Sequence, residues 1–157
     1  MIIGQVTELE YIAAHTLHRR KMQSLVKQVA LIVFILGIVL FFTFSRRLGV
    51  ILICAALGGL LGELIQSRFF LPSKLRGLYA QVRGRVDVTY SWNEEKLFLT
   101  SEHGQVTRSW TDFLKAKEND EVILLYFNDA LYEIISKRWF VEANNLNTFR
   151  THLKFVS

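Results

Sequence analysis

The sequence predicts an α+β membrane protein in which a two-helix transmembrane hairpin precedes an antiparallel β-sheet domain closed by a C-terminal helix. Three observations predict it. Residues 28–66 contain only three charged side chains, Arg46, Arg47 and Glu63. Residues 86–135 alternate short apolar runs with turn dipeptides, the spacing of a meander. Leu146, Phe149, Leu153 and Val156 then recur at helical spacing. A chain of 157 residues, 51% of them hydrophobic, has room for one membrane element and one domain of modest size.

The first element is a helix. Thr7 followed by Glu10 is a capping-box pair, in which each residue's side chain satisfies the other's backbone N–H, so a helix is expected to begin near Glu8. Leu9, Ile12, Ala13, Thr16 and Leu17 share one of its sides, and Arg19, Arg20, Lys21 and Lys27 follow before charge disappears. Residues 28–45 hold no ionisable group, which meets the length of about 18 uncharged residues that a spanning helix needs. A second run, from Leu48 to Gln66, is interrupted only by Glu63. The connection between the runs allows only an antiparallel hairpin with Arg46 and Arg47 at its tip. A cleaved signal peptide is disfavoured because the basic region before the first run is long and a second apolar run follows at once. Small residues recur every four positions at Cys54, Gly58 and Gly62, and again at Ala55 and Gly59; this surface is expected to meet the first helix near Gly37. Pro72 suggests the end of the second helix or the start of the connection onward.

Charge places the segments. From 65 to 85 there are five basic residues, Arg68, Lys74, Arg76, Arg83 and Arg85, and no acidic ones, whereas residues 86–157 carry eight basic and eleven acidic side chains. The basic excess behind the net charge of +5 therefore lies beside the apolar runs, where it suits anionic headgroups, and the mildly acidic remainder argues against a nucleic-acid partner. With Arg19, Arg20, Lys21 and Lys27 before the hairpin, the positive-inside rule puts both termini in the cytoplasm of a multi-pass protein. The expected location is the bacterial inner (plasma) membrane. The expected organisation is an N-terminal segment and juxtamembrane helix over 1–27, the hairpin over 28–66, a basic connector over 67–85 and a β-rich domain over 86–157.

Within that domain Val86, Val88, Tyr90 and Trp92 alternate with polar residues, the period of a half-buried strand. Turn signals at Asn93-Glu94, His103-Gly104, Asn119-Asp120 and Asn128-Asp129 separate further strands over 96–100, 106–110, 122–127 and 131–135. The run 122–127 is apolar on both faces and is expected at the centre, with the terminal helix as the available cover for one sheet face.

The order of these pieces over nearly the whole chain resembles the YcxB-like family. Trp110-Thr111-Asp112-Phe113 looks like that family's Trp-x-Asp step between strands, and Ile134-Ile135-Ser136-Lys137-Arg138-Trp139-Phe140 looks like its Ile-Pro-Lys-Arg-x-Phe strand exit, with Ser136 in place of the usual proline. The resemblance implies a compact domain similar to bacterial pleckstrin-homology-like (PH-like) domains, a strongly bent sheet plugged by the C-terminal helix. It implies architecture far more than activity.

Catalysis would require a nucleophile with its base, paired carboxylates or a metal cluster, and no such pattern stands out. His15 and His18 lie three apart on a helix but lack a third ligand, so they read as solvated juxtamembrane histidines; His103 and His152 read as surface residues. The glycines at 58, 59 and 62 lack the Lys and Ser/Thr of a phosphate loop. Cys54, the sole cysteine, cannot form an internal disulfide and reads as a packing residue. Glu63 is costly in an apolar segment; pairing with Arg68 or reaching the interface would relieve it, and ion handling would require oligomers. Lys137 and Arg138 could present cations to a lipid headgroup or partner, while Trp110, Phe113, Trp139 and Phe140 read as core.

These features lead us to expect a noncatalytic, cofactor-free membrane-anchored interaction or regulatory module, including an immunity-type protein that blocks a membrane-acting toxin. Membrane lipids and a protein partner or a second copy are the expected contacts. The alternatives are an inner-leaflet lipid-binding module that uses Arg68, Lys74, Arg76, Arg83, Arg85, Lys137 and Arg138, and a small oligomeric transporter or pore around Glu63.

Overall fold

The structure, a computed structural model, describes residues 1–81 and 87–153. Arg83, Arg85, Val86 and Val156, used in the reading above, lie outside the described residues. The chain divides into two compact units, one of Met1–His18 with Arg76–Ser157 and the other of Arg19–Leu75.

Helix α1 runs from Glu8 to Thr43 and α2 from Arg46 to Ile65. A π-helical turn, Gln66–Phe70, joins α2 to α3, Leu71–Gln81. Both Glu8–Thr43 and Arg46–Gln81 are long and apolar enough to cross a membrane, and only 11% of the most apolar window of each is buried within the chain. The helix continues through Pro72. A proline inside an α-helix lacks the N–H for its own turn and presses on the carbonyl four residues back. The π-helical turn just before it provides the adjustment, with the Leu71 N–H bonded to Gln66 O, five residues back.

In the second unit α1 and α2 meet through glycines. A Cβ built on Gly49 would lie 2.6 Å from the Phe41 backbone, and one on Gly37 would lie 2.9 Å from Ile53 and 3.1 Å from Gly49 O. Gly37 is therefore at the helix contact, but its counterpart is Gly49 rather than the later small residues. A Cβ at Gly58, Gly59 or Gly62 would meet nothing within 4 Å, and Cys54 and Ala55 are exposed. A two-residue link, Phe44-Ser45, brings the helices closest at the hairpin tip, and the four-residue stripe falls beyond that point.

In the first unit seven strands form two antiparallel sheets, neither closed among the described residues. Sheet A has the order β1 (Ile2–Gly4), β2 (Val88–Trp92), β3 (Lys96–Ser101), β4 (Gly104–Ser109), and sheet B the order β5 (Lys115–Glu118), β6 (Val122–Tyr126), β7 (Tyr132–Ser136). The register pairs Ile2 with Tyr90, Tyr90 with Leu99 and Leu125 with Glu133. The expected strands from β2 onward are present, and β6 is central and wholly buried. β1 and β5 are additions, and the expected single sheet is two. The polar turn Trp110–Asp112 interrupts the ladder after β4: Ser109 caps it, and the Asp112 carboxylate accepts the Ser109 N–H at 2.9 Å.

Helix α4 (Ala143–Leu153) closes the domain by inserting Phe149 between the sheets. That core joins Tyr90, Leu97, Trp110, Phe113, Ile123, Leu125, Ile135, Trp139 and Phe140 around it. Full burial of each large apolar side chain is worth about 1.5–3 kcal/mol. The opposite face of sheet B is apolar as well. Val122, Leu124 and Tyr126 are covered there by Ala14 and Leu17 of α1, which explains why β6 has no polar face. Where β1 passes the core, Gly4 is required by contact: a Cβ would lie 2.0 Å from Trp139 Nε1.

Candidate functional site

A dense set of polar and titratable groups lies where the first three turns of α1 meet β7 and the turn beyond it. The capping box has formed, with the Thr7 N–H donating to Glu10 Oε2 at 2.7 Å and the Glu10 N–H to Thr7 Oγ1 at 3.3 Å. Glu10 then does more than cap. It is only 7% exposed and accepts the Ser136 hydroxyl at 2.5 Å and Arg138 Nε at 3.0 Å, while Arg138 also donates to Gln5 O at 3.1 Å. Burial alone would raise the Glu10 carboxyl; the Ser136, Thr7 and Arg138 hydrogen bonds outweigh it and hold the group below its ordinary range. Ser136, fully buried, also accepts the Arg138 N–H at 3.2 Å and so caps the turn Lys137–Trp139. A proline has no hydroxyl with which to make either bond.

Beside this network His15 and His18 face the tyrosines of sheet B. His15 Nδ1 is 3.0 Å from the Tyr132 hydroxyl and His18 Nδ1 is 3.1 Å from that of Tyr126. Tyr11 packs edge-on to His15, and Tyr79 of α3 packs beside Tyr11 and donates to Val6 O at 2.9 Å. Both histidines are half-buried rather than solvated. Burial first, and the neighbouring His18 second, push His15 below the usual imidazole value. Lys115 and Lys117 place their ammonium groups 5.1 and 5.4 Å from the Tyr126 ring centroid, a cation–π arrangement.

The remaining predicted residues are dispersed. Lys137 donates to Glu118 at 2.5 Å, and Glu118 also binds Arg150 of α4, so Lys137 and Arg138 both join elements of the fold together. Against the cost of burial, the Arg150 and Lys137 contacts hold the Glu118 carboxyl low. Arg76 pairs with Glu8 at 3.0 Å, and Arg68 and Lys74 are exposed. Glu63 makes no ion pair among the described residues. His103 is exposed in its turn, whereas His152 stacks on Trp110 at 5.1 Å. Trp110, Phe113, Trp139 and Phe140 are core. Among the described residues no group of three or more His, Cys, Asp or Glu could hold a metal ion.

A further pair bridges the sheets: the buried Tyr90 hydroxyl of β2 donates to the half-buried Glu133 Oε1 of β7 at 2.5 Å. Burial raises the Glu133 carboxyl, and the Tyr90 bond and the Arg108 charge only partly counter it. Glu133 gave no signal in the sequence, because a single acid in an alternating strand reads as outward-facing.

Residues 92–153 match the family model described as YcxB-like protein. This segment is a YcxB-like domain. The YcxB-like match takes in β3 to β7 and α4, with both capped turns at Trp110 and Lys137, while β1, α1, α2 and α3 lie before it. No curated protein and no solved structure matches the chain significantly.

Proposed function

We propose that this protein is a noncatalytic, membrane-anchored interaction module. Its hairpin crosses the bacterial inner membrane with both termini cytoplasmic, and its domain is PH-like and regulates a membrane-bound partner. One observation carries the membrane part of this reading. The apolar parts of α1 and α2 turn large side chains outward, with Ile32 64%, Leu31 58% and Ile51 61% exposed. A core helix of a soluble protein would bury most of such a window, and apolar surface on this scale requires lipid or protein to cover it. Sheets of four and three strands with a helix inserted between them support the PH-like reading.

Anchoring gives the domain its advantage. Confinement near the surface raises its effective concentration for other membrane-bound proteins, so that weak contacts suffice. Protein recognition is favoured over headgroup binding through Lys137 and Arg138, because both are engaged by Glu118 and Glu10. The test is crosslinking of the full chain in native membranes, coupled to fractionation. A specific protein partner recovered from the membrane fraction is expected. Recovery of self-contacts and lipid alone refutes the partner reading, and release of the chain by alkaline wash refutes the membrane reading.

A further inference from the structure

Between α1 and α2 runs an apolar groove of about 500 Å3. Met22, Val26 and Val33 line it from α1, and Ala55, Ala56 and Gly59 from α2. The space exists because α2 contributes side chains too short to reach across. From Met22 to Val33 the lining extends about 16 Å along α1, and about 7 Å of that lies within the uncharged run.

Two features distinguish the groove from surface that bulk lipid covers. Its lining begins at Met22, six residues before the uncharged run opens at Gln28, which carries about 9 Å of apolar wall into the headgroup level. Arg19, Arg20 and Lys21 lie within one turn of Met22 on the same helix. Of the three, Arg19 stands three residues before Met22 and so on the groove face, and apolar surface at that depth beside a cation fits a molecule with an anionic head and an extended apolar tail. A helix about 10 Å across would need more than about 1,200 Å3 over the same length, so it could rest on the groove without filling it.

We propose that the hairpin binds one phospholipid with an anionic headgroup, its phosphate against Arg19 and one acyl chain in the groove. The inference rests on the reading that α1 and α2 span a bilayer.

The full chain, reconstituted in phosphatidylcholine vesicles containing a minor fraction of phosphatidylglycerol, is extracted in mild detergent and weighed by native mass spectrometry. One retained phosphatidylglycerol per chain is expected, enriched over its share of the vesicle. Gly59→Leu fills the groove where a Cβ meets nothing within 4 Å, and is expected to lower retention about tenfold through lost acyl contacts. Arg19→Gln should reduce the preference for phosphatidylglycerol about fivefold, whereas Arg20→Gln, on the opposite side of the helix, should change it less than about twofold; equal losses in the two variants overturn the placement of the headgroup. A wild-type chain that resists alkaline wash but retains no lipid, or retains both lipids in proportion to their supply, overturns the groove assignment alone. So does a wild-type complex of two chains that Gly59→Leu separates. A wild-type chain washed from the vesicles overturns the membrane reading beneath it.

Discussion

Replacing Glu10 with alanine removes one carboxylate and leaves three donors without their acceptor. The Thr7 N–H loses its part in the capping box, worth about 1 kcal/mol. The Ser136 hydroxyl, with no exposure to water, loses the only acceptor it donates to among the described residues, at a cost of about 1–2 kcal/mol. Arg138 is 60% exposed and recovers solvation, so its ion pair adds no more than about 0.5 kcal/mol. The sum is about 3 kcal/mol, which at urea slopes of about 1–3 kcal/mol per M lowers the midpoint by about 1–3 M. All three tryptophans, Trp92, Trp110 and Trp139, lie in the first unit, so tryptophan emission of the detergent-solubilised chain during a urea titration reads that unit alone. A midpoint shift below about 0.3 M would show that the network around Glu10 contributes little and that the contacts of Ala14 and Leu17 suffice to hold α1. The same titration against pH gives a second check. Because the folded protein holds Glu10 below its ordinary value of 4.5, its contribution is complete above that pH and is lost as pH falls through the lowered value. Glu10→Gln should remove that loss and leave the acid sensitivities due to Glu118 and His15, which have the same sign.

Two further outcomes follow from the same contacts. In the hairpin, Gly49→Leu forces a side chain against Phe41 and should destabilise detergent-solubilised α1–α2 packing by about 2 kcal/mol or more, whereas Gly58→Leu enters open space and should cost under about 0.5 kcal/mol; thermal melts followed by circular dichroism compare the two. In the first unit, His15 titrates below its ordinary value of 6.5, so the folded state favours its neutral form and the contribution present above that pH is lost as pH falls. Protonation would add charge beside His18 and the phenols of Tyr11 and Tyr132. Hydrogen exchange over residues 8–18, corrected for intrinsic rate, should quicken at mildly acidic pH, and His15→Asn should flatten that response.

Much of this architecture was legible because its signals are local. The Thr7–Glu10 capping box, the charge-free runs and the alternation of Val88, Tyr90 and Trp92 each depend on residues within a turn or a strand of one another, and local sequence reports them directly. Contacts made at long range were not legible. Ile2 and Ile3 open the chain as an isolated apolar pair, and nothing nearby announces that Ile2 pairs with Tyr90. β5 reads Lys-Ala-Lys-Glu and has no apolar period at all. It is a strand because Lys115 and Lys117 can lay their stems on the Tyr126 ring and Ala116 can pack against the core. Pro72 gave a misleading local signal, since a break in the backbone ladder was absorbed by one wider turn. Lys137 and Arg138 looked available for a ligand because their acidic partners, Glu118 and Glu10, are 19 and 128 residues away.

The Glu10 network also decides what can be separated from what. The first unit is assembled from residues on both sides of the hairpin, so a fragment beginning at residue 86 would lack β1, the cap at Thr7 and the cover supplied by Ala14 and Leu17. It would expose Val122, Leu124 and Tyr126, three fully buried side chains on one sheet face, and leave Ser136 without its carboxylate. Losing that cover forfeits several kcal/mol, a large share of the 5–15 kcal/mol by which ordinary domains are stable. For a YcxB-like domain built this way, the N-terminal segment is part of the fold, and the same helix that begins as cover for sheet B continues as the first of the two membrane-length helices. Any event that weakens the cover, whether a proton on His15 or a partner that competes for β7, acts on the segment from which that helix starts.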